Sequence, residues 1–149
     1  MHPRVIVALA AGLGFYTLTD VLIWQRIFEA NSLYQYADQY HLGYLASLTG
    51  MVAVGMAMLY DLRWWALWFG AAFYLLAFSG LEDVLYYWLQ LKAIPSEMPW
   101  LDSNPLILHP AGGWALVASV GFWLIVVALS GRVLGRITHR STTTWQTTS

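Results

Sequence analysis

The chain has no cysteine. That excludes disulfides, thiolate metal sites and thiol redox chemistry, and leaves the redox compartment unread. Charge is scarce as well. Only 10% of the 149 residues are charged, where soluble domains carry roughly 25%. The net charge of −1 offers no basic surface for nucleic acid. No HExxH, Glu-x-x-His or His-x-His pattern occurs, so no motif fixes the geometry of a metal centre. No inverted repeat relates the two halves, which argues against a transporter built from one chain.

Apolar and aromatic residues fill the space that charge leaves empty. The chain is 59% hydrophobic and 16% aromatic, with nine Trp and nine Tyr. This is the composition of an integral membrane protein with aromatic belts at the interfaces. A secretory signal has a shorter apolar core than the first run, Val5 to about Phe28, which is long enough to be a retained span. Three further spans follow, at about 40–60, 64–91 and 105–129. Asp61-Leu62-Arg63 is a tight polar turn that makes the second and third an antiparallel hairpin. Pro105 after Asn104 suits a helix start, and Pro110 should kink the fourth span and free the carbonyl of Leu106. Ala8-xxx-Gly12, Ala10-xxx-Gly14 and Ala46-xxx-Gly50 are small-residue pairs at the spacing that lets helices approach closely. The segment from Arg132, basic and then Ser/Thr-rich, reads as a disordered tail.

The expected fold is therefore an all-α, four-helix transmembrane bundle occupying residues 1–131. With the N-terminus inside, Arg4, Arg63, Arg132, Arg136 and Arg140 are cytoplasmic, and Arg26 and Lys92 are outside. This predicts that both termini face the cytoplasm. The protein is expected in the cytoplasmic membrane if the source is prokaryotic.

One stretch breaks the apolar rule: Ser79-Gly80-Leu81-Glu82-Asp83-Val84-Leu85-Tyr86-Tyr87-Trp88. A carboxylate in hydrocarbon is costly and marks a functional position by default. Asp20 interrupts the first span in the same way, with Tyr16, Thr17 and Trp24 one turn away. Counting residues from the cytoplasmic ends at ~1.5 Å each puts Asp20 at roughly 24 Å, Glu82 at roughly 28 Å, and His41 and His109 at roughly 30 Å. The hydrocarbon is about 30 Å thick. All four helices thus present a polar group near the outer boundary, and inward-facing groups at one depth of a bundle converge into a site. Asp38, one turn from His41, is a candidate to orient its ring. Glu82 and Asp83 are ~100° apart on a helix, so only one of them can face the centre squarely.

Four functions fit such a site. Asp20, His41, Glu82, Asp83 and His109 form a nitrogen and oxygen donor set for Zn, Fe, Mn or Cu, in a metal-dependent oxidoreductase or hydrolase acting on a lipophilic substrate. Tyr86 and Trp100 would line its pocket, under a Pro-rich lid running from Ala93 to Asn104. Alternatively, His41 and His109 are axial ligands of a b-type haem, with Gly43 and Gly112-Gly113 making room for the macrocycle. A third reading needs no metal: carboxylic acids among aromatic rings suit an isoprenoid or sterol cyclase or isomerase, the rings stabilising a carbocation. Leu81-Glu82-Asp83-Val84-Leu85-Tyr86-Tyr87 resembles the acidic-pair-then-aromatics motif of heterodimeric lycopene cyclases over about these seven residues. It departs from that motif in lacking a proline before the acids, and its Pro-Trp element falls after them. Size and composition are also similar to those of tryptophan-rich sensory proteins, whose Trp-Pro pattern is missing here. The fourth reading is a non-catalytic subunit or ion conductor whose acids bond to partner helices, either in a homo-oligomer or in a larger membrane complex.

Overall fold

Pro3, with no N–H to lose, opens the first helix, α1 (Pro3–Thr19). A computed structural model describes residues 2–146, leaving out the side chains of Ile23, Trp24, Gln25, Phe28, Glu29, Tyr34, Ala37 and Asp38 and of residues 139–146. Along α1 the buried positions are Val5, Leu9, Leu13, Tyr16 and Thr17. That three-to-four spacing defines a single inward stripe. A wide π-turn, Asp20–Trp24, carries the chain into the short α2 (Gln25–Ala30). A 3-10 turn at Tyr34–Tyr36 leads to α3 (Ala37–Met58). The tight turn Tyr60–Leu62 reverses the chain into α4 (Arg63–Leu76), giving the expected hairpin. A second π-turn, Ala77–Leu81, separates α4 from α5 (Glu82–Leu89). After a long loop, α6 (Gly113–Gln146) closes the chain.

Four helical stretches are long and apolar enough to cross a membrane: Pro3–Leu22, Gln39–Met58, Tyr60–Leu89 and Gly113–Thr138. The third is the axis of the bundle. Over its 18-residue apolar stretch half of the residues (50%) are buried, against 11% in the second. Trp65, Phe69, Phe73 and Leu76 of α4 meet Val5, Leu9, Leu13 and Tyr16 of α1, Leu48 and Val52 of α3, and Val127 of α6 in one core. Burying a large apolar side chain stabilises by about 1.5–3 kcal/mol in water, but lipid already solvates such groups. Here packing and polar ties carry the difference. Arg4 joins Asp61 across 2.8 Å, and Trp68 Nε1 donates to Ser130 Oγ at 2.9 Å. These ties gather the start of α1, the α3–α4 turn and the distal half of α6 at one end of the bundle.

The fourth span departs from expectation at both ends. It begins at Gly113 and not at Pro105, and Pro110 therefore kinks no helix. The backbone groups of 105–112 already have other partners. Asn104 Oδ1 accepts from Leu106 N, and Ser119 Oγ accepts from Leu108 N. The Leu106 carbonyl accepts from Trp123 Nε1, and the Ala111 carbonyl accepts from Met98 N. The segment thus runs back along the first turns of α6 instead of starting that helix. At the other end, the residues from Arg132 continue as helix to Gln146, where a disordered tail was expected. Leu134 still packs on the main core, so the apolar period outlasts the apolar composition. Residues 147–149 lie outside the described residues. Of the small-residue pairs, Gly12 lies tight against Phe73, whereas Gly14 and Gly50 face open space and pack no helix.

Candidate functional site

Two breaks in helix geometry deliver the acids. The inward stripe of α1 ends in Thr17, 3% exposed, and Asp20, 5% exposed, where the first π-turn begins. A π-turn inserts one extra residue per turn and is commonly kept where a side chain must be re-aimed. The second π-turn contains Gly80 at φ +86°, a left-handed conformation that glycine adopts without strain. It hands over to α5 at Glu82. The carbonyls that the break releases are claimed locally. Ser79 Oγ, fully buried, donates to the Leu76 carbonyl at 2.8 Å, and Asn104 Nδ2 donates to the Phe78 carbonyl at 2.8 Å.

Glu82 and Asp20 lie within hydrogen-bonding reach of each other, joining helices from opposite halves of the chain. Each also receives a tyrosine from α3. Tyr40 Oη donates to Asp20 Oδ1, and Tyr44 Oη donates to Glu82 Oε2 at 2.5 Å. The two tyrosines are one helical turn apart and stack with ring centroids 6.2 Å apart. Tyr16 completes the frame, its centroid 4.5 Å from that of Tyr44, and its edge meets Phe73 at 6.3 Å. The Tyr16 hydroxyl is buried beside that of Tyr44. Asp83 is half-buried and close enough to Asp20 and Glu82 for their charges to interact.

The expected site residues thus divide. Asp20, Glu82 and Asp83 come together; the histidines do not join them. His41 is exposed on α3, its ring 5.6 Å from that of Tyr40. His109 is exposed on the loop before α6, Nδ1 3.7 Å from Asp102 Oδ1. Asp102 itself accepts from Ala111 N and so belongs to the loop's own stitching. Among the described residues, no three His, Asp or Glu side chains are grouped so as to hold a metal ion. The Asp38 side chain lies outside the described ones. Tyr86 meets Tyr87 edge-on at 5.1 Å and lies beneath Lys92 Nζ at 5.7 Å. Trp100 is 61% exposed. The loop around it buries Met98, Ile107 and Ala111 against Leu116, Val84 and Tyr87. It covers the flank of α5 that carries Val84 and Tyr87.

The tyrosines that frame the acids are the site's residues that counting by depth missed. The Tyr40-xxx-Tyr44 spacing was the available signal, since it sets two phenols on one face of a helix at the height of Asp20.

Below the tyrosines an apolar groove of about 870 Å³ runs between α1 and α3. It extends from Pro3, Arg4 and Met58 at one end to Phe15 and Ser47 at the other. None of the acids or of the tyrosines that bond them lines this groove.

No protein-family model matches the chain, and no curated protein or solved structure matches it.

Proposed function

We propose that the chain is a multi-pass membrane protein with both termini in the cytoplasm, and that its Asp20–Glu82 pair performs general acid–base chemistry on a lipophilic substrate. The observation that carries this reading is the meeting of the two carboxyls, each with its own tyrosine donor. In this reading one carboxyl acts as general acid and its neighbour as general base. That is the equipment for protonating a carbon–carbon double bond and later removing a proton from the neighbouring carbon. Tyr16, Tyr40 and Tyr44 stand beside the pair, and their rings would supply π density to a transient carbocation. The overall reaction is an isomerisation or cyclisation. It is redox-neutral, returns the proton to the pair, and needs no co-reactant.

The orientation follows the distribution of arginine. Arg4 and Arg63 stand at one end of the bundle, with Arg132 and Arg136 on the distal half of α6, and basic residues are held on the cytoplasmic side. The acid–tyrosine cluster then lies toward the outer leaflet.

The test is deuterium incorporation. Purified protein in vesicles of deuterium oxide would be supplied with geranylgeraniol, and the recovered lipid analysed by mass spectrometry. Wild-type protein should introduce deuterium at an alkene terminus, and D20N and E82Q should each lower the rate by about 10²–10⁴-fold. Incorporation no faster than in empty vesicles, or undiminished in both variants, would refute the reading.

A further inference from the structure

A cavity of about 460 Å³ opens on the flank of α5, lined by Val84, Leu85, Trp88, Lys92 and Ile94. Its volume lies in the roughly 300–1,000 Å³ range of ligand sites. Val84 and Ile94 pack against the buried Met98, Ile107, Ala111 and Leu116, so the apolar wall rests on a fixed cluster. Lys92 is the one charged residue of the lining, and no acid stands there. Among the described residues its ammonium pairs with no carboxylate; it lies 5.7 Å from the ring centroid of Tyr86. Trp88, 68% exposed, gives its indole N–H to no acceptor among the described residues.

The backbone sets Lys92 in this place. Leu91, just past the end of α5, is left-handed at φ +54°, a conformation that is unfavourable for a residue with a Cβ. Leu91 gains no burial from it, being 94% exposed. What the turn secures is the residue that follows. Leu91 N donates to the Trp88 carbonyl at 3.1 Å, and Lys92 N donates to the Tyr87 carbonyl at 2.9 Å. The Lys92 side chain is thereby laid back over Tyr86, beside Trp88. Its depth is also defined. From Arg63 to Leu89, α4 and α5 rise about 39 Å at ~1.5 Å per residue. A bilayer with its headgroups is about 40–45 Å thick. With Arg63 in one headgroup layer, Lys92 stands in the other, and Trp88, Leu85 and Val84 descend from it toward the hydrocarbon.

We infer that this cavity holds one anionic phospholipid, its phosphate on Lys92 and the upper part of an acyl chain against Trp88, Leu85 and Val84. Charge complementarity selects the head. A cation without a carboxylate partner, in a lining that has no acid, favours a headgroup of net negative charge. A phosphatidylcholine head brings its own cation beside Lys92 and gains less. The apolar wall selects a lipid over free phosphate, because Val84, Leu85 and Ile94 offer an inorganic ion nothing. Indole and ammonium together suit a phosphodiester, since each donates and the phosphate accepts from both. Tryptophan and lysine at this depth also match the ordinary anchoring chemistry of a membrane boundary. The site stands apart from the acid–base reading, as none of Asp20, Glu82 or Asp83 lines it.

The experiment uses phosphatidylglycerol carrying a diazirine on its acyl chain close to the glycerol. It is photolysed as a minor component of phosphatidylcholine vesicles holding the full-length protein, and the labelled peptides are mapped. Labelling should centre on residues 84–94 and exceed that by diazirine-tagged phosphatidylcholine about fivefold, the worth of one basic residue near an anionic surface. K92Q should remove the excess, and K92R, which keeps the charge, should retain it. Arg26, on α2 and outside the cavity, is the control for diffuse surface charge. R26Q should stay within about twofold of wild type. Glycerol phosphate in the buffer should not compete. Equal labelling by the two lipids, an excess that survives K92Q, or an excess lost equally in R26Q overturns the site. So does full competition by glycerol phosphate, because the occupant would then be a soluble anion. The two proposals fail separately. D20N and E82Q should leave the label unchanged whatever they do to deuterium incorporation, and K92Q should leave the incorporation unchanged.

Discussion

Gly80 and Leu116 compete for one space: a Cβ on Gly80 would stand 2.2 Å from Leu116 Cδ1. The left-handed turn that leads into Glu82 is thus also where the start of α6 seats against the chain. G80A meets two penalties. The left-handed backbone costs about 1–2 kcal/mol for a residue with a Cβ. Overpacking against Leu116 adds about 1–3 kcal/mol. G80A should lower the unfolding midpoint in detergent and, by turning Glu82, suppress deuterium incorporation. Adding L116A should recover part of the packing loss and none of the backbone loss. Full recovery in the double variant would show that Gly80's conformation is unimportant.

The tyrosine donors give a second prediction. Y44F removes the hydroxyl that meets Glu82, and Y40F the one that meets Asp20. Leaving a buried acceptor without its donor costs about 1–3 kcal/mol. Because the two carboxyls contact each other, the variants should not be independent. The double variant should depart from additivity by about 0.5 kcal/mol or more in a thermal unfolding series. Simple additivity would mean that the two tyrosine–acid pairs act separately and that the carboxyls share nothing.

Not all of this was legible in the sequence. The four apolar stretches were, because a span needs about 20 apolar residues and few other folds need such runs. The hairpin at Asp61 was legible for the same reason. The start of the fourth helix was not. A proline suits the first turn of a helix and an extended loop equally well, and only the side-chain partners of 105–112 decide between them. Depth counting placed Asp20 and Glu82 at one height but carried no azimuth. It therefore grouped His41 and His109, which are exposed, with acids that are turned inward. The two π-turns blurred the pattern further. Each inserts a residue, so a helical register carried across Gly80 is broken there, and Glu82 rather than Asp83 receives Tyr44.

Topology can be tested directly, since the chain has no native cysteine to interfere. Single cysteines at Ser96 and Ser141 would be probed in intact cells with a membrane-impermeant maleimide. Ser96 stands in the loop near the acid end and should label. Ser141 lies beyond the arginines of α6 and should label only after the membrane is permeabilised. The reverse pattern would invert the bundle. The helix packing itself would be unaffected.

The histidines provide the last prediction, because they separate an acid site from a mixed imidazole–carboxylate metal centre. A metal shared among Asp20, Glu82, His41 and His109 would need both imidazoles, and losing either ligand would reduce affinity severely. In the structure His41 rests against Tyr40, and His109 stands beside Asp102 on the loop, each exposed. Substituting exposed side chains outside a site usually changes stability by no more than about 0.5 kcal/mol. H41A and H109A, singly and together, should therefore keep the unfolding midpoint and the deuterium incorporation of wild type, and incubation with a chelator should change neither. The informative contrast is with E82Q, which keeps the volume of the side chain but cannot hold the proton. If H41A with H109A fails as E82Q does, and added zinc or iron restores the single variants but not the double, the imidazoles reach the carboxyls after all. The site would then be a metal centre.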